Sequence, residues 1–292
     1  MSLKYFLLLM ATLASTMVYP QGRFDNVNIK TTQVNGQVYM LEGAGGNIML
    51  WITEEGVLMV DSQFAPLSDK IKTAINDLTD QPIIYLVNTH HHGDHTGGNA
   101  QFNDAQATLI AHQNVYKRLQ ADGKETGFLP ESTIEDSAML EMASDEIILI
   151  HLENAHTDGD SFVYLPRYNV LHTGDMFFNG RYPFIDLQSG GSIDGYIKAQ
   201  ETMLELINPS TNIIPGHGAL GSFENLGESV KMLRELKSKI SLAIEEKRTR
   251  DEVINDSSLT KYYDDLGFGN GYIDGVKIRT TLYDGLYRSS GQ

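Results

Sequence analysis

An apolar run, PIIYLV at 82–87, leads directly into NTHHHGDHTGGN at 88–99, a loop that holds four of the chain's nine histidines. A short apolar run bounded by turn residues reads as a buried strand, so the histidines stand at a strand's C-terminal end. Three readings compete for such a loop: a metal site, an incidental His-rich tract, or a polar turn facing water. His90 and His92 are two residues apart, so in an extended segment they point to one side and can grip one ion. Asp94 and His95 follow the turn at Gly93 and can point elsewhere, towards a second ion.

The same device recurs along the chain. Residues 37–41 and 47–52 are expected as strands joined by the glycine-rich turn 43–46, and 57–60 as a buried strand stopping at Asp61. Helical spacing of Leu67, Ile71, Ala74, Ile75 and Leu78 predicts a helix over 67–78. Further strands are expected at 108–111 and 146–150, and at 161–165 and 169–172 as a hairpin. Ser192 is the expected N-cap of a helix over 193–207. A last strand at 211–214 precedes a long amphipathic helix over 223–248 and another over 249–266. Strands alternating with helices predict an α/β layered domain.

Three more chemistry-bearing residues follow strands: His156 in ENAHTDGDS, Asp175 in VLHTGDMFF and His217 in IIPGHG. Catalytic loops of layered α/β proteins gather at strand ends. Taken singly, each residue has an ordinary reading as a hydrogen-bonded loop histidine or a turn carboxylate. Together with the His-rich loop they point to one metal centre.

Composition narrows the chemistry. The net charge of −16 excludes nucleic acid as the expected partner, since phosphate binding needs a basic face; a small molecule fits better. No cysteine is present, so a metal must take nitrogen and oxygen ligands, and disulfides and lipid anchors are excluded. Residues 1–20 place one positive charge, Lys4, before an apolar stretch that ends at Pro20, the order of a secretory signal peptide. That stretch is short for a membrane span, and a buried N-terminal helix is the alternative. The expectation is an export segment at 1–20 and a single domain over 24–292 with a C-terminal helical extension. The mature protein would be periplasmic or secreted, with no membrane attachment.

The motif THHHGDHTGG, with Asp61 upstream and His156, Asp175 and His217 downstream in that order, resembles the metallo-β-lactamase superfamily over about 38–217. The resemblance implies an α/β fold of α+β type, a four-layer αβ/βα sandwich with two facing sheets and outer helices. It implies two zinc ions per chain, the first held by His90, His92 and His156, the second by Asp94, His95 and His217. Asp175 falls where relatives carry a carboxylate bridging both metals, and Asp61 matches a hydrogen-bonding aspartate that is not a ligand. The implied reaction is hydrolysis of a carbonyl substrate by water activated between the ions, with Asp94 also orienting the nucleophile. His91, His112, His151 and His172 are left as packing or supporting residues.

The branch of β-lactamases with a cysteine at the position of Asp175 is excluded by the ligand set. Glyoxalase II and acyl-homoserine lactonases carry the aspartate, although export sits badly with the first. A β-lactam, lactone or other ester or amide is therefore the expected substrate. A glyoxalase II-like thioesterase, a mononuclear-iron sulfur dioxygenase and a non-catalytic metal-binding module are the alternatives. The aromatic segment 176–186 is expected to border the pocket, with Arg181 binding a substrate carboxylate and Asn179 donating to an oxyanion. In the competing reading it is a packing loop in which Arg181 pairs with Asp186. The turn at 43–46 is expected, by the same resemblance, to be a mobile flap.

Overall fold

The computed structural model describes residues 22–103 and 107–289; the expected export segment at 1–20 lies outside them. Residues 30–134 supply one sheet and residues 137–214 the other. The first sheet has seven strands in chain order: β1 (Lys30–Asn35), β2 (Val38–Glu42), β3 (Ile48–Ile52), β4 (Val57–Val60), β5 (Ile83–Val87), β6 (Thr108–His112) and β7 (Ser132–Ile134). Pairing is antiparallel from β1 to β4 and parallel from β4 to β7. The second sheet runs β12 (Asn212–Ile214), β11 (Val170–His172), β10 (Ser161–Leu165), β9 (Asp145–His151), β8 (Ser137–Met142). Only its β11–β12 pair is parallel.

The two-residue period of a strand sorts each apolar run onto two faces. Met49 and Trp51 of β3, with Val60 and Val87, turn inward to meet Leu149, Val163 and Ile214 of the opposite sheet. Their alternates Ile48, Leu50, Met59 and Leu86 turn outward onto Leu67, Ile71 and Ile75, the last two on α1 (Ser68–Asn76). Phe162, Tyr164 and Ile213 of the second sheet likewise pack outward against Ala199 and Met203. Both faces of both sheets are thus apolar, which is why the strands read as continuous hydrophobic runs. The result is the expected layered sandwich.

The remaining helices are α2 (Gly93–Thr96), α3 (Asn99–Phe102), α4 (Gln113–Ala121), α5 (Ile193–Leu206), α6 (Phe223–Glu245), α7 (Arg250–Asn255), α8 (Lys261–Asp265) and α9 (Gly275–Ser289). Ser192 caps α5 as expected, its Oγ accepting from the Gly195 N–H at 3.0 Å. Helices α5, α6, α7 and α9 share a core of their own, including Tyr196, Leu233, Val253 and Leu282.

One expectation fails, and a second is narrowed. The single helix over 249–266 is broken, because the Asp256 side chain takes the Ser258 N–H at 3.0 Å and starts a 3-10 turn. An Asp side chain that bonds nearby backbone competes with helix continuation, and the α-helix resumes only at α8. The turn at 43–46 is not a free flap. Gly45 and Gly46 are buried, with Gly46 N–H donating to Asp94 O at 3.0 Å and Gly45 N–H to Gln63 Oε1 at 3.2 Å. Strands β1, β7 and β8 and helix α4 had no matching sequence prediction; β1 and β8 carry polar or exposed alternate residues, and α4 has only a thin apolar stripe, Val115 and Leu119.

Candidate metal centre

Loops leaving the strands of both sheets converge on one edge of the sandwich. From the first sheet, β5 delivers His90 and His92, and the short helix α2 carries Asp94 and His95. From the second, His156 follows β9, Asp175 follows β11 and His217 follows β12. Ligand-type atoms of His90, His92, His156 and Asp175 lie within 4.8 Å of one another, as do those of Asp94, His95 and His217. All seven expected positions therefore meet, in the two groups that the resemblance implies.

Hydrogen bonds fix which ring nitrogen each histidine has free. His156 Nδ1 lies 2.7 Å from the carbonyl oxygen of Phe184, and His92 Nε2 lies 3.1 Å from Asp186 Oδ2. Those oxygens only accept, so both nitrogens must carry the proton, and a neutral imidazole then keeps a lone pair on its other nitrogen. The two lone-pair nitrogens, His92 Nδ1 and His156 Nε2, face each other at 2.9 Å. His95 repeats the arrangement: Nδ1 donates to Asp61 Oδ2 at 2.7 Å, and Nε2 faces Asp175 Oδ1 at 3.0 Å and His217 Nε2 at 3.5 Å. Acceptors pointing at acceptors repel one another unless positive charge, a metal ion or a proton on a ring nitrogen, lies among them. His90 Nε2 is also buried without a hydrogen-bond partner, a cost of about 1–3 kcal/mol that a bound cation removes. The donor set, imidazole and carboxylate with no thiolate, suits zinc.

Electrostatics agree. Burial alone would lower the pKa of His95 and His217, yet the carboxylates of Asp175, Asp61 and Asp94 around His95 hold it well above the usual value. Asp175 and Asp94 raise His217 to about 9. Burial would raise Asp175, and the surrounding His95, His217 and His90 pull it well below the carboxylate range instead. His90 moves the other way: burial, then the nearby His95, lowers it. The centre thus concentrates anionic charge and lone pairs in a buried space, a field that favours positive charge.

Backbone economy makes the close packing possible. A Cβ on Gly46 would fall 2.1 Å from His95 Cε1, and one on Gly216 would fall 2.1 Å from Asp175 Oδ1. Asp61 ends β4 at φ 63°, a left-handed conformation that costs a non-glycine residue about 1 kcal/mol or more. There it accepts the Thr89 N–H and hydroxyl, both at 2.8 Å, besides His95. This is the hydrogen-bonding role expected of it.

The remaining histidines separate from the centre. His172 is buried in backbone hydrogen bonds with Asn47 and Gly174, and His112 and His151 stack at 3.7 Å behind the His156 loop. His91 alone stays close: it joins His92 and Asp186 in a third group of ligand-type atoms within 4.8 Å of one another.

The segment after Asp175 does border the cavity, but two assignments change. Asn179 is not a free donor: its amide nitrogen bonds the carbonyls of Ala219 and Leu220 at 3.0 and 3.3 Å, so the oxyanion role falls. Asp186 does not pair with Arg181; it holds His92. Arg181 instead lines a cavity of about 570 Å³ together with Arg23, His92, Asp94 and His217. Sequence reasoning missed Arg23, Phe184 and Tyr272, all on this cavity. Only the aromatic richness of 176–186 gave a signal, and only for Phe184.

A family model described as the metallo-beta-lactamase superfamily matches residues 41–217. The chain belongs to the metallo-β-lactamase superfamily. Among its relatives in the superfamily, metallo-beta-lactamase IND-1 of Chryseobacterium indologenes is 26% identical over 176 residues, 59% of this chain and 71% of that protein. A hydroxyacylglutathione hydrolase of Nostoc punctiforme is 26% identical over 145 residues, 48% of this chain and 52% of that protein. The crystal structure of DIM-1 metallo-beta-lactamase superposes with a TM-score of 0.62 at 18% identity, over 71% of this chain and 98% of that one. A metallo-beta-lactamase from Pontibacter korlensis gives 0.63 at 16%, over 71% and 99%. The superfamily match makes this chain a metal-dependent hydrolase, and helices α6 to α9 lie beyond the region it covers.

Proposed function

We propose that the protein is an exported hydrolase that holds two zinc ions and cuts a small carbonyl substrate: a β-lactam, a lactone or another ester or amide. His90, His92 and His156 hold the first ion, and Asp94, His95 and His217 the second. The observation that carries this reading is the placement of Asp175 between the two groups. Its Oδ2 lies 3.5 Å from His156 Nε2 and 3.8 Å from His90 Nε2, while its Oδ1 lies 3.0 Å from His95 Nε2 and 3.4 Å from His217 Nε2. One carboxylate within reach of both nitrogen sets would help to hold metal in either group.

Bound zinc supplies Lewis acidity and makes water acidic enough to act as a nucleophile at neutral pH. The chain's own residues do the rest. Asp94 Oδ2 lines the cavity 3.3 Å from His217 Nε2. Burial would raise its pKa, but His95 and His217 bring it down to about 2. At that value the carboxylate orients an attacking water as an acceptor and does not store its proton. Arg181 lines the same cavity, which supports a role for it in holding a substrate carboxylate.

A glyoxalase II-like thioesterase is the second reading. It is favoured by the aspartate at position 175 and by the likeness to a hydroxyacylglutathione hydrolase. The reading includes removal of residues 1–20 on export, a periplasmic or secreted location, and one domain over 24–292. N-terminal sequencing of the mature protein tests the first of these.

The deciding experiment is hydrolysis of nitrocefin, an acyl-homoserine lactone and a glutathione thioester, with and without chelator, alongside metal analysis of the purified protein. Chelator-sensitive turnover with two zincs per chain is expected. One iron per chain with oxygen uptake would identify a sulfur dioxygenase instead, and two zincs without turnover a binding module.

A further inference from the structure

Tyr272 lies in the segment joining α8 to α9, beyond the region shared with the superfamily, yet it lines the same cavity as His92 and Asp94. The residue is 76% exposed. It is nevertheless held from two sides. The Lys277 ammonium sits over the ring at 4.3 Å from the centroid and also bonds the Tyr272 carbonyl oxygen at 2.6 Å. Phe184 meets it edge to face, with centroids 6.1 Å apart at 88°. Phe184 in turn lies 5.8 Å from the His92 ring and 5.6 Å from the His156 ring. Phe184 and Tyr272 therefore form a continuous aromatic wall from the first group of histidines out to solvent.

Arg23 and Arg181 line the same cavity. Among the described residues neither guanidinium is within ion-pair distance of a carboxylate, although the chain carries 38 acidic residues against 22 basic ones. Arg23 lies over the Phe24 and Phe64 rings at 5.1 and 5.2 Å, which leaves Arg181 as the cation beside the apolar wall, a match for an anion that also carries a flat apolar group. The wall is anchored as well as aligned. The N–H of Tyr182 donates to Phe268 O at 3.1 Å, and its hydroxyl donates to Asp264 Oδ1 at 2.9 Å, which ties the C-terminal helices to the segment bearing Arg181 and Phe184.

We infer that Tyr272 is a specificity-determining residue, and that the substrate is an anionic acyl compound whose aryl arm lies along the Phe184–Tyr272 wall. This rests on the proposed hydrolase reading for its reacting carbonyl, but the wall itself needs no metal to bind an arm. The test therefore has a binding part and a turnover part.

In the first part, phenylacetate and acetate are titrated into chelator-treated full-length protein, followed by nuclear magnetic resonance. Phenylacetate should bind more tightly than acetate, and Tyr272→Ala should reduce that preference about five- to tenfold, the scale of an aromatic contact plus its buried area. The second part compares kcat/KM for a phenylacetylated and an acetylated substrate of the same ring type in the zinc-loaded protein. The aryl-to-methyl ratio should fall by a similar factor in Tyr272→Ala and return in Tyr272→Phe. Equal binding of the two acids, or a preference unchanged in Tyr272→Ala, overturns the inference. Aryl-selective binding without hydrolysis of any substrate overturns the hydrolase reading and leaves the inference standing.

Discussion

Asp186 grips His92 from the side opposite His156: its Oδ2 lies 3.1 Å from Nε2 of a ring whose Nδ1 lies 2.9 Å from His156 Nε2. The carboxylate fixes the tautomer that leaves Nδ1 free to bind metal, and the Gln188 and Ser189 amides at 3.0 and 3.1 Å hold the carboxylate in turn. Asp186→Asn weakens the acceptor without changing its shape. Zinc affinity, measured by competition with a chromophoric chelator, should fall about 10- to 100-fold, the usual effect of losing such a support. Unchanged affinity would make the contact incidental.

Removal of a ligand acts more directly. His92→Ala and Asp94→Ala should each lose bound zinc and hydrolysis together, and chelation of the wild type should give the same loss, reversed by added zinc. Full turnover in either variant at reduced metal content would remove the mechanism.

Two glycine substitutions should have opposite signs. In Gly46→Ala the new methyl carbon would sit 2.1 Å from a His95 ring pinned by Asp61, while Gly227 in α6 has nothing within 4 Å of an added methyl. Gly46→Ala should destabilise by about 1–3 kcal/mol or more and disturb the metal. Gly227→Ala should stabilise by about 0.5–1 kcal/mol. Denaturant midpoints of both variants check this, and equal shifts would contradict the packing around His95.

His112 should make stability depend on pH. Burial, then the stacked His151, lowers its pKa to about 4, against 6.5 when unfolded. Between those values the unfolded chain binds a proton that the folded chain refuses, so stability falls as pH drops from 6.5 towards 4 and the effect levels off below. At pH 5 the loss from this group is on the order of 2 kcal/mol. His112 Nδ1 accepts the Asn114 N–H at 3.3 Å at the start of α4; His112→Asn keeps a capping side chain there and should show a shallower decline over that interval. Parallel curves for the two proteins would rule out His112 as the source.

The His-rich loop was legible because its residues are neighbours, and a two-residue spacing fixes which side chains share a direction. The partners His156, Asp175 and His217 could be named because each follows an apolar run that could only be a buried strand. What the sequence hid depends on contacts between distant segments. Asp186 reads as readily as a partner for Arg181 as for His92, and only the approach of the second sheet decides between them. Tyr272 sits among Gly271, Ile273 and Asp274 with no periodic pattern, so nothing local marks it as part of a cavity. The break at Asp256 was missed because a capping side chain there outweighs an otherwise helical composition.

Each sheet is folded from its own continuous half of the chain, with the crossing at Glu135 and Asp136, and each half contributes only part of the ion-holding set. The centre is therefore a property of the seam. Two polypeptides cut at that crossing would each carry the strands of one sheet yet lack the complete set, and their reunion would be readable as the recovery of a property that neither possesses alone.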